Sequence, residues 1–481
     1  MNGKKLIIIG GGVSSLVSGI FALKKDYQVV IYEKNSEVGG LLLKNNFKKD
    51  YLNDSFTYFY YDDKYAKFYS EIGLDNIEEI ENEFYLQYHD TKVYKDLNKL
   101  EEELISKYIL DEKRIKTFIK VIQEFKDINL YYEKPYDCLG ILEPIKYNNC
   151  LKLKSKLYNK YHNISIEKYF SNFESKEIKE VFVSMMQKNS SMYNLIMLLA
   201  LYCDGRMKRL KLSSFEIAKK MKEKFLSLGG RIECNKIAEK IDISKGKAIG
   251  VWFNNKHYVN ADYIISGLDL NFTYKILLNN KYNDKVLEMK NLSYKDYPTF
   301  SLLSYDFLIK DDNDSLPYIY CEEIDKKKIA STFHNKLLFI NRGNGIISCN
   351  VLQSSEDYVY WKLISKNPSI YKKELTRISN DIKCSLESIM REKFALKTSV
   401  KELSCISPLD YEEKFNCFKG CVYSYDLNAN GKIFNSTGRI NNLKNLYLAS
   451  QWMSTPGGIL NAMINGYYAV LRLEFDRSKN K

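Results

Sequence analysis

The sequence has few of the residues that build metal sites, and it has no long hydrophobic run. It contains only four histidines, and its 10 cysteines are scattered without a C-x-x-C pair. Its longest apolar stretch, residues 195–203, is far shorter than the ~20 residues of a membrane-spanning helix. We therefore expect free thiols, no bound metal and no transmembrane anchor.

Proline is also scarce, and low-complexity linkers and internal repeats are missing. Only 7 prolines occur in 481 residues, of which 45% are hydrophobic. This composition is typical of a globular chain with two or three domains and excludes a disordered one. The apolar run at residues 6–9 is too short for a secretory leader, so we expect a cytoplasmic protein.

Charge is unbalanced toward the basic side. The chain carries 73 basic and 60 acidic residues, a net charge of +13. The lysines are dispersed, and no basic run is longer than residues 326–328, so we predict a solvated basic surface and no nucleic-acid partner. Peripheral contact with an anionic membrane is the alternative that this charge leaves open.

The N-terminal segment has the order of parts that a dinucleotide-binding unit needs. Residues 6–9 form a short apolar run suited to a buried parallel strand, and a glycine turn follows it. In this turn Gly10 permits the tight bend, and Gly12 lets the backbone approach a pyrophosphate at the start of a helix. Glu33 lies about 20 residues further on, where a carboxylate accepts hydrogen bonds from a ribose. A second glycine pair, Gly39 and Gly40, follows it.

The third glycine of the usual G-x-G-x-x-G pattern is replaced by Ser15. This position governs close packing of helix against strand, so a small residue there weakens the motif without excluding it. The acidic Glu33 favours a ribose with a free 2′-hydroxyl, as in FAD or NAD, over a 2′-phosphate.

The C-terminal segment favours FAD over NAD. Residues 446–449 are another short apolar strand, residues 456–458 are a proline–glycine turn, and a helix is predicted from Ile459 onward. This segment resembles the flavin-binding signature of the phytoene desaturase, carotenoid isomerase and retinol saturase group of FAD-dependent oxidoreductases, in the flavin amine oxidase superfamily. In that group the strand, turn and helix hold the ribityl chain and the pyrimidine side of the flavin.

A third block, residues 228–265, resembles the stretch that packs beside the adenosine in the same group. The resemblance implies that a backbone amide at Ile237 meets the adenine edge and that Gln451 contacts the ribityl chain. We expect FAD to be bound non-covalently, because no cysteine or histidine lies in a context that argues for a covalent flavin linkage. No catalytic side chain is predicted, because the flavin itself takes or gives the hydride. Together, the pattern and the resemblance predict these cofactor-binding residues: Gly10, Gly12, Val13, Ser14, Ser15, Glu33, Lys34, Gly39, Gly40, Leu41, Leu42, Ile237, Gln451, Gly458, Ile459 and Leu460.

The sequence departs from the group at several positions, most of which are glycine in the group and serine here. An arginine that many amine oxidase relatives carry after the glycine pair is Leu41 here. Serine stands where the group has glycine at Ser15, within residues 52–57, at residues 213–214 and at Ser450. Extra side chains where the backbone crowds a ligand reshape a pocket or close it, so these positions bear on whether a flavin site survives.

We predict an α/β fold with a Rossmann-like FAD-binding domain built from discontinuous segments. An interleaved α+β substrate domain, a mixed sheet capped by helices, is expected to cover the flavin. The FAD domain would comprise residues 1–75, 210–292 and 420–481, and the substrate domain 76–209 and 293–419. Periodicity predicts helices at 98–108, 112–125, 166–170, 176–187 and 371–393, and strands at 300–307 and 336–341.

The function predicted from the resemblance is an FAD-dependent oxidoreductase acting on carbon–carbon bonds of an apolar polyene or lipid-like substrate, by desaturation, isomerisation or reduction. One alternative is a flavin amine oxidase or an enzyme like protoporphyrinogen oxidase, against which the missing arginine at Leu41 counts. Another is a non-redox prenyl- or lipid-binding protein with the fold of the Rab GDP-dissociation inhibitors. The sequence makes no prediction of the oligomeric state.

Overall fold

The computed structural model describes residues 3–42, 58–130, 133–140, 143–310, 316–332 and 334–479, without the side chains of residues 144–150. The predicted departure at residues 52–57 lies outside the described residues.

The strands are β1 Lys5–Ile9, β2 Gln28–Tyr32, β3 Phe59–Tyr60, β4 Phe84–Tyr88, β5 Thr91–Tyr94, β6 Met207–Lys208, β7 Arg231–Glu233, β8 Ala238–Ser244, β9 Lys247–Phe253, β10 His257–Asn260, β11 Tyr263–Ser266, β12 Ser301–Ile309, β13 Ile319–Glu323, β14 Lys336–Gly343, β15 Ile346–Gln353, β16 Val400–Ile406, β17 Arg439–Ile440 and β18 Leu443–Leu448.

The α-helices are α1 Val13–Leu23, α2 Ala66–Glu71, α3 Leu97–Lys107, α4 Glu112–Glu124, α5 Glu143–Tyr161, α6 Ile166–Phe170, α7 Lys176–Val183, α8 Met192–Cys203, α9 Ser214–Ser227, α10 Leu270–Phe272, α11 Lys285–Leu292, α12 Ser355–Ile364, α13 Pro368–Phe394, α14 Pro408–Phe415 and α15 Ile459–Lys479. Single turns of 3₁₀-helix occur at Gly40–Leu42, Asp63–Tyr65, Ile109–Asp111, Tyr136–Cys138, Phe418–Gly420 and Gln451–Met453, and a π-helical turn at Thr273–Leu277.

The first sheet is the predicted Rossmann-like sheet. Its strands run in the order β10-β9-β18-β11-β1-β2-β7, and β1 pairs in parallel with both β2 and β11. Ile8 at its centre pairs with Ile31 on one side and Ile265 on the other, and all three are buried. Such apolar runs are typical of parallel strands covered on both faces, here with α1, α9 and α15 on one of them.

The second sheet is mixed, as predicted for the substrate side of the molecule. Its order is β16-β12-β15-β14-β13-β4-β5, in which β4 and β13 are parallel and the other pairs antiparallel. On one face Tyr305 and Phe307 of β12 pack with Ile382 and Leu386 of α13. Because side chains alternate along a strand, Leu302 and Ser304 face the opposite side, which lines a cavity.

The predicted helices and strands are confirmed to within a few residues at their ends. The largest difference is α7, which ends at Val183 instead of Gln187. Helix α13 begins three residues early, at Pro368, because the Asn367 side chain accepts hydrogen bonds from the N–H groups of Ser369 and Ile370. A proline in the first turn suits such a start, since its missing N–H has no intrahelical acceptor there.

The two sheets draw on different parts of the chain. Strands of the first sheet come from residues 5–32, 231–266 and 439–448, and those of the second from 84–94, 301–353 and 400–406. The exact domain bounds stay a prediction. In the part of the chain that the structure describes, no helix has both the length and the apolar character to cross a bilayer, and contact with a membrane surface stays a prediction.

Candidate functional site

The glycine turn between β1 and α1 is fixed by backbone hydrogen bonds to its neighbours. Gly10, with φ of +86°, donates its N–H to Tyr32 O at 2.8 Å, which ties the turn to the end of β2. The second glycine pair closes over it, because Gly39 donates its N–H to Gly11 O at 2.8 Å. A methyl group added at Gly12 would meet no atom of the described residues within 4 Å, so these residues leave open space in front of the turn. This space is where the Rossmann pattern places a pyrophosphate.

Glu33 stands at the end of β2 and is only 6% exposed. Its Oε2 accepts the N–H of Gly11 at 2.6 Å, and its Oε1 accepts the N–H of Asn35 at 2.8 Å. Burial raises the pKa of this carboxyl above its ordinary value, and the two N–H groups oppose that rise. Each oxygen keeps a second lone pair, so Glu33 can both hold the turn and accept hydrogen bonds from a ribose.

Ser15, the residue in place of the third glycine, is fully buried and does not line the cavity. It packs against Gly267, which follows β11: a methyl group at Gly267 would lie 1.9 Å from Ser15 Oγ. The glycine at this helix–strand contact is therefore Gly267, at the end of the neighbouring strand β11, and not a residue of α1. This exchange preserves the close approach of α1 to the sheet that the third glycine normally permits.

Two of the other described serines that replace glycines, Ser213 and Ser450, have hydrogen-bond partners. Ser213 caps α9 and forms a reciprocal pair of hydrogen bonds with Glu216. Ser450 caps the single turn Gln451–Met453, and its carbonyl accepts from the Asn465 side chain. None of these three side chains fills the space in front of the glycine turn, because that space is open around Gly12.

The second turn, at residues 456–458, lies at the start of α15. Gly457 packs against Ser424, where a methyl group would be 2.7 Å from the backbone nitrogen. Asn461 donates its side-chain N–H to the carbonyls of Pro456 and Gly457, which fixes the turn against the helix. The first N–H groups of a helix have no intrahelical acceptor, so this end of α15 offers donors to a ligand.

Two predicted contacts differ in detail from the expectation. Gln451 lines the cavity, but its Oε1 accepts the N–H of Gly458 and its Nε2 donates to Val422 O. Ile237 is 47% exposed, and its N–H donates to Asn254 Oδ1 instead of being left for an adenine. Both residues line the cavity, but the Gln451 side chain is hydrogen-bonded to the turn, and the backbone N–H of Ile237 is hydrogen-bonded to Asn254.

A single cavity of about 760 Å³ joins these elements. Every predicted cofactor residue except Ser15 lines it. At one end are the glycine turn and Glu33, and beside them is the start of α15. The lining residues among the predictions are Gly10, Gly12, Val13, Ser14, Glu33, Lys34, Gly39, Gly40, Leu41, Leu42, Ile237, Gln451, Gly458, Ile459 and Leu460.

The other walls of the cavity are largely apolar and aromatic, and sequence reasoning did not assign them. One wall is the free face of the second sheet, and another is one face of α8, which includes the longest apolar run of the sequence. The spacing of its cavity residues, three and four apart, is the signal that marks one face of a helix. The residues of these walls include Tyr58, Tyr85, Tyr193, Met197, Leu198, Leu201, Leu302, Leu338, Ile340, Leu352 and Tyr423.

Asp269 is a buried acid in the cavity wall. Burial raises the pKa of its carboxyl to about 6, against the effect of hydrogen bonds from backbone N–H groups. Those hydrogen bonds come from Asn271 at 2.7 Å and Phe418 at 3.0 Å, so Asp269 caps α10 and holds it to the turn Phe418–Gly420. We assign it a structural role, and no catalytic base emerges from the described residues.

Comparisons with known proteins agree with this geometry. A family model for the NAD(P)-binding Rossmann-like domain matches residues 8–71, which contain the glycine turn and Glu33. A 1-hydroxycarotenoid 3,4-desaturase from a Flavobacterium species is 24% identical over 95% of this chain and 96% of its own length. A 4,4'-diaponeurosporene oxygenase from Staphylococcus haemolyticus is 24% identical over 70% of this chain and 69% of its own length.

Solved structures with the same fold include wild-type putrescine oxidase, with a TM-score of 0.59, 13% identity and 99% of each chain covered. An oxidoreductase from Methanosarcina mazei has a TM-score of 0.56, 12% identity and coverage of 98% of this chain and 100% of its own. The chain therefore has the fold of these solved structures, and its Rossmann-like unit indicates a flavin or nucleotide cofactor. Its relatives in sequence are carotenoid desaturases and oxygenases, which confirms the predicted resemblance.

Proposed function

We propose that this protein is an FAD-dependent oxidoreductase that acts on carbon–carbon bonds of an apolar polyene or lipid-like substrate, by desaturation, isomerisation or reduction. The observation that supports this most is the continuity of the cavity: it reaches from the dinucleotide turn at Gly12 to the apolar wall of β12 and β14. A cofactor held at one end and an apolar chain held at the other would meet inside the same cavity.

The residues present fit FAD. The open space at Gly12 accommodates a pyrophosphate on the start of α1, and Glu33 has lone pairs left for the adenosine ribose. The turn at residues 456–458 and the start of α15 would hold the pyrimidine side of the flavin, as the resemblance implies. When bound, FAD supplies the acceptor or donor of a hydride, so the protein needs only to position the substrate and exclude water.

An apolar substrate is supported by the opposite walls. Met197, Leu201, Leu338 and Ile340 line the cavity, and Tyr58 and Tyr85 stack with ring centroids 4.6 Å apart beside them. Burying an apolar chain against such side chains is favourable by roughly 25 cal/mol per Å² of surface removed from water. The names of both curated relatives describe carotenoid-modifying enzymes, which share this substrate chemistry.

The purified protein is expected to be yellow, with one non-covalent FAD per chain, and an absorption spectrum tests this. Under anaerobic conditions a polyene substrate should change the flavin band, by reducing the oxidised form or oxidising the reduced form. A colourless protein that cannot be reconstituted with FAD but binds an isoprenoid tightly would instead support the non-redox carrier.

Glu33→Ala is expected to weaken FAD affinity by about tenfold or more, because hydrogen bonds to a charged group contribute about 1.5–3 kcal/mol each. A fluorescence titration, in which the free flavin signal falls on binding, measures this. Glu37→Ala is the matched control, since Glu37 is an exposed carboxylate in the same loop.

The Glu33→Ala substitution also leaves the N–H groups of Gly11 and Asn35 without their acceptor. The titration is therefore made at a temperature where the wild-type and Glu33→Ala apo-proteins are both folded. Equal affinity of the Glu33→Ala variant and the wild type would rule out a ribose contact at Glu33.

A further inference from the structure

Lys290 on α11 is a buried cation that the proposed chemistry does not yet use. Its side chain is 1% exposed, and its Nζ donates to Thr455 Oγ1 at 2.6 Å. Thr455 lines the cavity immediately before the turn at residues 456–458. The ammonium group therefore lies directly behind the wall against which the pyrimidine side of a flavin is proposed to rest.

The surroundings of Lys290 leave its charge largely uncompensated. Its Nζ lies 5.4 Å from the ring centre of Tyr425 and 5.9 Å from that of Tyr297. Across the described residues, no carboxylate comes within ion-pair distance of it. The acid that acts on it electrostatically, Asp284, accepts the N–H groups of Val286 and Leu287 as the cap of α11.

Burial lowers the pKa of Lys290 to about 8, and the negative charge of Asp284 opposes this fall. The group is therefore still mostly protonated at neutral pH. A buried charge without an ion-pair partner is costly for folding, and an apolar side chain of similar length would be more stable at such a position. Asp284 compensates this charge only in part, so Lys290 would stabilise a negative charge that develops on a ligand in the neighbouring cavity.

We propose that the Lys290 ammonium raises the reduction potential of the bound flavin by stabilising the negative charge that the flavin gains on reduction. A hydride carries two electrons and one proton, so its transfer to neutral oxidised flavin leaves one negative charge, which is delocalised over the pyrimidine side of the ring. A fixed cation behind that side stabilises the reduced form relative to the oxidised form. This inference rests on the proposed function.

The test is the midpoint potential of the bound flavin, measured by reduction with dithionite against a reference dye. Lys290→Met removes the charge and keeps the length of the side chain, and it is expected to lower the potential by about 30 mV, a tenfold change in the two-electron equilibrium constant. Lys290→Gln, which keeps a donor for Thr455, should lower the potential to a similar extent.

Lys285→Met is the matched control, because it removes one positive charge from an exposed position on the same helix. Solvent screens that charge, so the potential should stay at the wild-type value. A wild-type potential in both Lys290→Met and Lys290→Gln would overturn the proposal. A wild-type potential in Lys290→Gln alone would also overturn it, because the hydrogen bond to Thr455 would then matter and the charge would not.

The measurement separates this proposal from the proposed function. Dithionite reduces the flavin whether or not a polyene is the substrate, so the effect of Lys290 can be read even if the substrate assignment is wrong. A wild-type protein that takes up no flavin at all would contradict the proposed function itself.

Discussion

Gly12→Val is expected to abolish FAD binding while the apo-protein stays folded. The added side chain would project into the open space in front of the glycine turn, where no atom of the described part of the chain lies within 4 Å. Gly12 has φ of −74° and ψ of 178°, an extended conformation that valine adopts readily. The variant therefore fills the volume of a pyrophosphate without disturbing the sheet, at a helix-capping cost of about 1 kcal/mol.

Flavin content after purification and reconstitution measures this effect, and circular dichroism of the apo-protein checks the fold. Gly140→Val is the matched control, because Gly140 does not line the cavity and, of the described residues, a methyl group there would meet the Glu143 carboxylate alone, at 3.6 Å. Full flavin occupancy in Gly12→Val would show that the pyrophosphate lies elsewhere.

Gly466→Ala is expected to destabilise the protein by about 3 kcal/mol and to weaken cofactor binding with it. Helices α1 and α15 cross at this residue, where a methyl group would lie 2.3 Å from Ser14 O and 3.1 Å from Ser14 Cα. These are backbone atoms of α1, so the clash cannot be relieved by a rotamer change, and overpacking of this kind costs typically 1–3 kcal/mol. Ser14 lines the cavity, so a shift of α1 would also displace the glycine turn.

Urea unfolding of the apo-protein measures the loss of stability. Ser18→Ala is the control at the same crossing: the Ser18 hydroxyl lies 2.8 Å from both Ser14 O and Gly466 O, and its removal adds no atom. This control should cost about 1 kcal/mol. A free energy of unfolding for Gly466→Ala no lower than that of Ser18→Ala would contradict the close approach of the two helices.

The end of the cavity that contains the glycine turn was predictable because its signals are local. The strand at residues 6–9, the turn at Gly10 and Gly12 and the carboxylate of Glu33 lie within a few tens of residues, and each follows from backbone geometry or hydrogen bonding. The second turn, at residues 456–458, was recognisable by its likeness to a known signature. All of these residues line one cavity in the folded protein.

What the sequence could not provide is the set of partners that distant segments supply. The Asn254 side chain accepts a hydrogen bond from the N–H of Ile237, and the Val422 carbonyl accepts one from the Gln451 side chain. Two groups that were expected to contact a cofactor therefore have hydrogen-bond partners within the protein. Ser15 weakens the motif in the sequence, yet Gly267, about 250 residues away, provides the space that Ser15 needs.

By itself, then, the sequence determined the α/β architecture, the two glycine turns and the acid at the end of β2, because periodicity and turn chemistry act over short stretches of chain. Only the tertiary structure decided which faces meet. It placed one face of α8 and the free face of the second sheet around the same cavity as its apolar walls, and it buried Lys290 behind Thr455. These contacts join segments that are more than 100 residues apart, and no local pattern specifies them.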